Sequence, residues 1–188
     1  RIDAYTKDKA PVIGYNDSTT SGSITITGGL ININGMDITN SPLIGAGSSF
    51  YASSSGAKCG DITITGGNLN FTGSQNSQYP LIGAGLNSTI TGDITVSRGV
   101  LYMKLPNQTA SYPLFGKGSD SDAASTCNFI TGDGQVIISV EGGNYTSPEE
   151  LFNCDNTNIM DGFKGILSVD TSSFAPKVYK EPIELTIK

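Results

Sequence analysis

The sequence predicts an all-β solenoid: a single-stranded parallel β-helix of about four three-sided coils, closed by a divergent C-terminal cap. Three observations predict it. Two short strings recur in the same order, their mutual spacing is fixed, and the residues inside them alternate between apolar and polar. GSITITGG at 22–29 returns as GDITITGG at 60–67 and more loosely as GDITVSRG at 92–99, while PLIGAG at 42–47 returns at 80–85 and as PLFGKG at 113–118. From first string to second the offset is 20, 20 and 21 residues, yet successive first strings lie 38 and then 32 residues apart. All variation in length therefore falls in 48–59 and 86–91, and again in 119–131 if a fourth unit begins near Gly132. A fixed frame with one elastic corner is the signature of repeats that bury their apolar sides only against one another.

The elements follow in order within one domain. Segment 11–16, PVIGYN, reads as the third strand of an incomplete leading coil, so that 1–21 precede the repeat coils of 22–143. In the first string Ile24 and Ile26 alternate with Thr25 and Thr27, as do Ile62 and Ile64 with Thr63 and Thr65, and Ile94 and Val96 with Thr95 and Ser97. Period two is the pattern of a half-buried strand, with the apolar set facing the core. Gly28-Gly29 and Gly66-Gly67 then mark a bend, because glycine takes positive φ at no steric cost. A second alternating strand follows: Ile31 and Ile33, Leu69 and Phe71, Leu101 and Met103, with Asn32, Asn70 and Tyr102 between them. PLIGAG is the third strand, and its phase is ambiguous, since either the leucines or the isoleucines could point inward. Coils of this kind stack about 4.8 Å apart in parallel ladders, giving columns such as Ile24/Ile62/Ile94 inside and Thr25/Thr63/Thr95 outside. GQVIISVEGG at 134–143 supplies Val136, Ile138 and Val140 in alternation. Beyond it, 144–188 form a divergent cap or linker strand, with apolar runs at Gly165–Val169 and Ile183–Ile187 and one turn of helix at EELF, 149–152.

Composition narrows the setting. Charged residues make up 15% of the 188, Gly counts 24, and His and Trp are absent. With a formal net charge of −6 and scattered Lys and Arg, the chain has no basic patch for phosphate, which argues against nucleic acid as a partner. No apolar run reaches the roughly 18 residues of a transmembrane helix, which argues against membrane insertion. The chain starts at Arg1 without a secretory leader, the expectation being a processed or excised segment of a longer protein.

The order GxITITGG, alternating strand, small-residue gap, IGAG resembles the repeats of secreted bacterial and protist proteins described as carbohydrate-binding-domain-containing right-handed β-helix proteins. In those, strings of the kind CGxITITGG and AAGIGxG alternate. The residues that carry the resemblance are CGDITITGG at 59–67 and PLIGAG at 42–47 and 80–85, within residues 11–143. The resemblance implies a right-handed coil, an extracellular or cell-surface location, a polysaccharide or cell-surface glycan as partner, and no catalytic residues. A fold does not by itself give a function.

Several residue sets are candidates for chemistry, each with a plainer structural reading beside it. Asp61 and Asp93 follow the corner glycine in adjacent coils; stacked carboxylates repel unless a cation such as calcium bridges them, and a polysaccharide lyase would need such a site. The first repeat, however, has Ser23 there, with no Lys or Arg column beside it. Asp120 and Asp122 form a looser acidic pair. Without His there is no Ser-His or Cys-His nucleophile. The Thr25, Thr63 and Thr95 array resembles an ice-binding face or a polysaccharide platform, or is simply an exposed strand face. Tyr79 and Tyr112 precede the proline of the third strand in adjacent coils, and with Tyr102 could stack on sugar; alternatively they pack at the corner with their hydroxyls wet. Cys59 and Cys127 fall in variable corner segments expected to project from one edge, and a Cys127–Cys154 disulfide would pin the C-terminal excursion. Sequons at Asn16, Asn70, Asn87, Asn107 and Asn144 are candidate N-glycosylation sites in a eukaryotic secretory protein. The functional expectation is a non-catalytic, glycan-binding or adhesive module, with end-to-end assembly through uncapped strand edges as the structural alternative.

Overall fold

The alternation in the repeats becomes burial in the fold. In the computed structural model Ile24, Ile26, Ile62, Ile64, Ile94 and Val96 are all buried, while Thr25, Thr63 and Thr95 between them are exposed or half-exposed. The structure describes residues 1–6, 10–16, 21–35, 41–48, 56–72, 79–105, 112–118, 125–132, 134, 136–142, 145, 148–159, 163–167 and 178–182. Apart from one 3₁₀ turn, all their regular secondary structure is β-strand.

A leading part holds β1 (Ile2–Thr6) and β2 (Ile13–Tyr15). The first full repeat holds β3 (Ile24–Ile26), β4 (Leu30–Gly35) and β5 (Ile44–Ala46). The second holds β6 (Lys58–Cys59), β7 (Ile62–Ile64), β8 (Asn68–Thr72) and β9 (Ile82–Ala84). The third holds β10 (Thr89–Ile90), β11 (Ile94–Val96), β12 (Gly99–Leu105) and β13 (Phe115–Gly116). Then come β14 (Asn128–Thr131), β15 (Val136–Gly142), a 3₁₀ turn at Pro148–Leu151, β16 (Phe152–Asn153), β17 (Asn156–Ile159), β18 (Phe163–Leu167) and β19 (Val178–Pro182).

Equivalent strands of successive repeats pair side by side. A threonine-bearing sheet runs β3-β7-β11-β14-β17, a long sheet runs β1-β4-β8-β12-β15-β19-β18, and a glycine-bearing sheet runs β2-β5-β9-β13-β16. All pairings are parallel in register except those of β19, which is antiparallel to both β15 and β18. The chain visits the three sheets in the same order in each repeat, and all of them bury side chains in one hydrophobic cluster. Full burial of each such side chain contributes roughly 1.5–3 kcal/mol, so the stack of Ile, Leu and Phe columns is the main source of stability.

The structure settles or alters several expectations. In the PLIGAG strand Ile44 and Ile82 are buried with Ala46 and Ala84, and Leu43 and Leu81 are buried just before them. The intervening Gly14, Gly45, Gly83 and Gly116 are in register. A Cβ on Gly83 would lie 1.9 Å from the carbonyl oxygen of Gly116 in the next repeat, and its φ of +144° disfavours side chains on its own account. The elastic corner also carries structure, because β6 and β10 form a short parallel pair that buries Cys59 and Ile90. The fourth unit starts earlier than Gly132: β14 aligns Phe129, Ile130 and Thr131 with Ile94, Thr95 and Val96. Parallel stacking then continues past residue 143, where β16 pairs with β13 and β17 with β14. The run at Gly165–Val169 overlaps β18, whereas Ile183–Ile187 lies outside the described residues.

Candidate functional site

The outer face of the long sheet gathers the richest set of polar side chains. Because Ile31 and Ile33 point into the core, Asn32 and Asn34 point out, and parallel register repeats that choice in every coil. On the side away from the core one column runs Asp3, Asn32, Asn70, Tyr102 and Ser139, the last of them buried, and the next places Asn34, Thr72, Lys104 and Glu141 in register. The amides form a ladder: Asn70 Nδ2 donates to Asn32 Oδ1 at 2.7 Å, and Asn32 Nδ2 donates to Asp3 Oδ1 at 2.5 Å. Each amide is thereby fixed in orientation, with hydrogen-bonding capacity left over on either side. The bonds from Asn32 and then Arg1 hold the Asp3 carboxyl below the ordinary carboxylate value. An open groove of about 640 Å³ lies along this ladder, lined by Asp3, Asn32, Asn34, Asn70 and Thr72 together with Ala4 and Ile33. Tyr102 is the next residue up the column, half-buried between Asn70 and Ser139. Beyond it Lys104 pairs with Glu141 at 2.9 Å, and Glu141 is buried.

A second ladder follows the corner that leads into the threonine-bearing sheet. Ser23 Oγ accepts from the Asp61 amide at 3.2 Å, and Asp61 Oδ1 accepts from the Asp93 amide at 2.9 Å. Asp93 Oδ1 accepts from Asn128 Nδ2 at 2.8 Å, and Asn128 Oδ1 accepts from Asn156 Nδ2 at 2.9 Å. Asp61 and Asp93 thus each receive one hydrogen bond from the following coil, at Oδ1. Among the described residues no three His, Cys, Asp or Glu side chains converge as metal ligands. Asp120 and Asp122 lie outside those residues.

The threonine face is aligned as its spacing predicts. Thr25, Thr63 and Thr95 share one row, but Ile130 takes the next place in it, so the row of hydroxyls is three coils long. The tyrosines at the third corner do not form a platform. Tyr79 is only 4% exposed and packs where a side chain on Gly118 would sit, so its ring offers no face to a sugar. Tyr112 is half-buried, and its carbonyl accepts the Tyr145 hydroxyl at 2.5 Å.

The cysteines do not project from the corner, because the apolar interior draws them in. Cys59 is fully buried beneath Ile90, and burial, with the Asp61 charge second, pushes its thiol up to about 12. Cys127 is buried as well, with its Sγ 3.5 Å from Cys154 Sγ, close but not bonded. Of the sequon asparagines, Asn16 is exposed, Asn70 is held in the amide ladder, and Asn87 takes a left-handed φ of 54° in a turn; Asn107 and Asn144 lie outside the described residues.

No protein-family model matches the chain, and no curated protein and no solved structure is significantly similar to it. Any function must therefore be argued from the faces themselves. The long-sheet ladder was half legible in advance: Asn32, Asn70 and Tyr102 stand between buried residues, but Asp3 belongs to a strand outside the repeated strings. The corner ladder had a signal too: Ser23, Asp61 and Asp93 each stand one residue before a strand of the threonine-bearing sheet, and Asn128 and Asn156 open β14 and β17.

Proposed function

We propose that this chain is a non-catalytic extracellular or cell-surface module whose three parallel sheets close into a right-handed β-helix, and that it binds glycan along the outer face of the long sheet. The right-handed sense is supported by the general rule that connections between parallel strands of one sheet turn that way. The observation that carries the glycan reading is the groove along the Asp3–Asn32–Asn70 ladder, where fixed amides stand beside Asn34 and Thr72. Sugars present arrays of hydroxyl groups that both donate and accept, and a row of oriented amides matches such an array with little ordering cost on the protein side. Tyr102 adds an aromatic ring one rung away.

The test is binding to a panel of immobilised polysaccharides. A double Asn34→Ala, Thr72→Ala variant is expected to lose at least tenfold in affinity, while Thr63→Ala with Thr95→Ala on the other face leaves it unchanged. Loss confined to the threonine variant would overturn this placement, and the absence of glycan binding by the unmodified protein would overturn the function itself.

A further inference from the structure

The last rungs of the stack are held less completely than those before them. Among the described residues β16 and β17 are the final strands of the glycine-bearing and threonine-bearing sheets, so each is paired on one side only, whereas β15 in the long sheet is paired on both. The two cysteines stand where these end strands join the coil beneath. Cys127 immediately precedes β14, and Cys154 links β16 to β17. Their sulfurs are 3.5 Å apart.

Other contacts fix the same junction from both sides. The Asp155 amide donates to the Cys127 carbonyl at 2.6 Å, and the Cys127 amide donates back to Asp155 Oδ2 at 2.9 Å. Lys117 Nζ reaches the same Asp155 carboxylate, and Asn153 Nδ2 donates to the Lys117 carbonyl at 2.6 Å. Beneath lie Phe115, Phe129 and Phe152, with ring centroids 4.5–5.3 Å apart. The two thiols thus sit on backbone whose relative position is already set by hydrogen bonds and ring packing. A bond of about 2.05 Å needs only a modest closing of the gap.

We propose that Cys127 and Cys154 form a redox staple that clamps the end strands β16 and β17 onto the coil beneath, closing on exposure to a small-molecule disulfide and opening under reduction. The two thiols differ in access. Cys154 is partly exposed and Cys127 is 1% exposed, so Cys154 meets the oxidant first. Its thiolate attacks one sulfur of oxidised glutathione, the glutathione S–S bond breaks, and one glutathione thiolate leaves. Cys127 then gives up its proton to solvent and attacks Cys154 Sγ, expelling the second glutathione. Two protein thiols are oxidised to one disulfide while one glutathione disulfide is reduced to two thiols. The hydrogen bond with Cys154, and then burial, hold the Cys127 thiol above its ordinary value, which makes this second step the slow one. Cys59, fully buried beside Ile90, takes no part.

The experiment equilibrates folded, full-length protein with oxidised glutathione, alkylates residual thiols, and digests it with trypsin and Glu-C together. No Lys or Arg falls between Lys117 and Lys164, so trypsin alone leaves both cysteines in one peptide; cleavage after Glu141 and Glu150 separates 118–141 from 151–164. The expected result is a cross-linked pair of these fragments and alkylated Cys59. The loop closed spans a sequence separation of 27 residues, for which loop-closure entropy and ordinary unfolding entropies give a Tm roughly 7–14 °C higher for the oxidised form. Cys154→Ser should abolish that redox-dependent shift and Cys59→Ala should keep it. The proposal is overturned if both fragments are recovered unlinked, if Cys154 remains as a stable mixed disulfide with glutathione, or if Cys59 is found in the link.

Discussion

Replacing Gly83 by alanine should be among the most damaging single-methyl additions this fold can receive, although glycine-to-alanine changes in general are mild. The added Cβ would lie 1.9 Å from the Gly116 oxygen and 2.8 Å from its carbonyl carbon. Ordinary contact starts about 1.5 Å further out, and the obstacle is the backbone of a paired strand, which has no rotamer to yield. Relief requires β9 and β13 to separate, at the expense of the bond from Ile82 N to Leu114 O, now 3.0 Å. Overpacking of this kind costs about 1–3 kcal/mol. The positive φ adds about 1–2 kcal/mol for a residue with a Cβ, giving about 2–5 kcal/mol and a Tm lower by roughly 4–20 °C. Gly28 is the control: it sits at the bend between β3 and β4, φ there is not in the left-handed range, and no atom lies within 4 Å of its would-be Cβ. Gly28→Ala should therefore be neutral or stabilise by up to about 1 kcal/mol through the unfolded chain. Thermal and urea unfolding of both variants decides the matter. A Gly83→Ala protein that melts with the unmodified chain would refute the claim that the glycine column is dictated by close approach of successive coils.

Two further outcomes concern the C-terminal end of the stack. Phe129→Ala removes the ring that lies 5.0 Å from Phe115 and 4.5 Å from Phe152 and is 1% exposed; a loss of about 3–5 kcal/mol is expected in urea unfolding, and a loss under 1 kcal/mol would show that the rings are not part of the cooperative core. Asp155 has its carboxyl lowered below the ordinary value by Lys117 first and the Cys127 amide second. A depressed folded value means that its stabilisation is present above the unfolded value, about 3.9, and is lost as pH falls through the folded value. Hydrogen exchange at residues 152–159 should consequently accelerate below about pH 4, an acceleration that Asp155→Asn should remove by exposing the segment at every pH.

How much of this was visible in the chain follows from what the repeat constrains. Stacking in register requires apolar residues throughout each inward column. Ile24/Ile62/Ile94 and the glycines of PLIGAG were therefore readable from spacing alone, and they fix the parallel sheets. The phase of PLIGAG was not readable, because Leu and Ile are equally apolar; it was decided by Gly45 and Gly83, whose lack of a Cβ is required by the neighbouring carbonyl. Strand β14 was missed for a related reason. Phe129 replaces isoleucine and Ile130 replaces threonine, so the alternation that marks the other repeats is blurred just where the core changes from aliphatic to aromatic.

The polar faces were harder, for a physical reason that bears on function. A buried column tolerates few residue types, whereas an outward column need only avoid unfavourable neighbours. The mixture Asp3, Asn32, Asn70, Tyr102 and Ser139 thus carries no repeat signal, although hydrogen bonds tie its first three members into one unit. The threonine row, by contrast, is regular in sequence yet ends at Ile130. Regularity in this chain reports what the coils need from each other, and departures from it mark where a face is free to serve something else. That places the weight of the glycan reading on the irregular long-sheet ladder rather than on the threonines, and it makes the paired variants on the two faces the informative comparison.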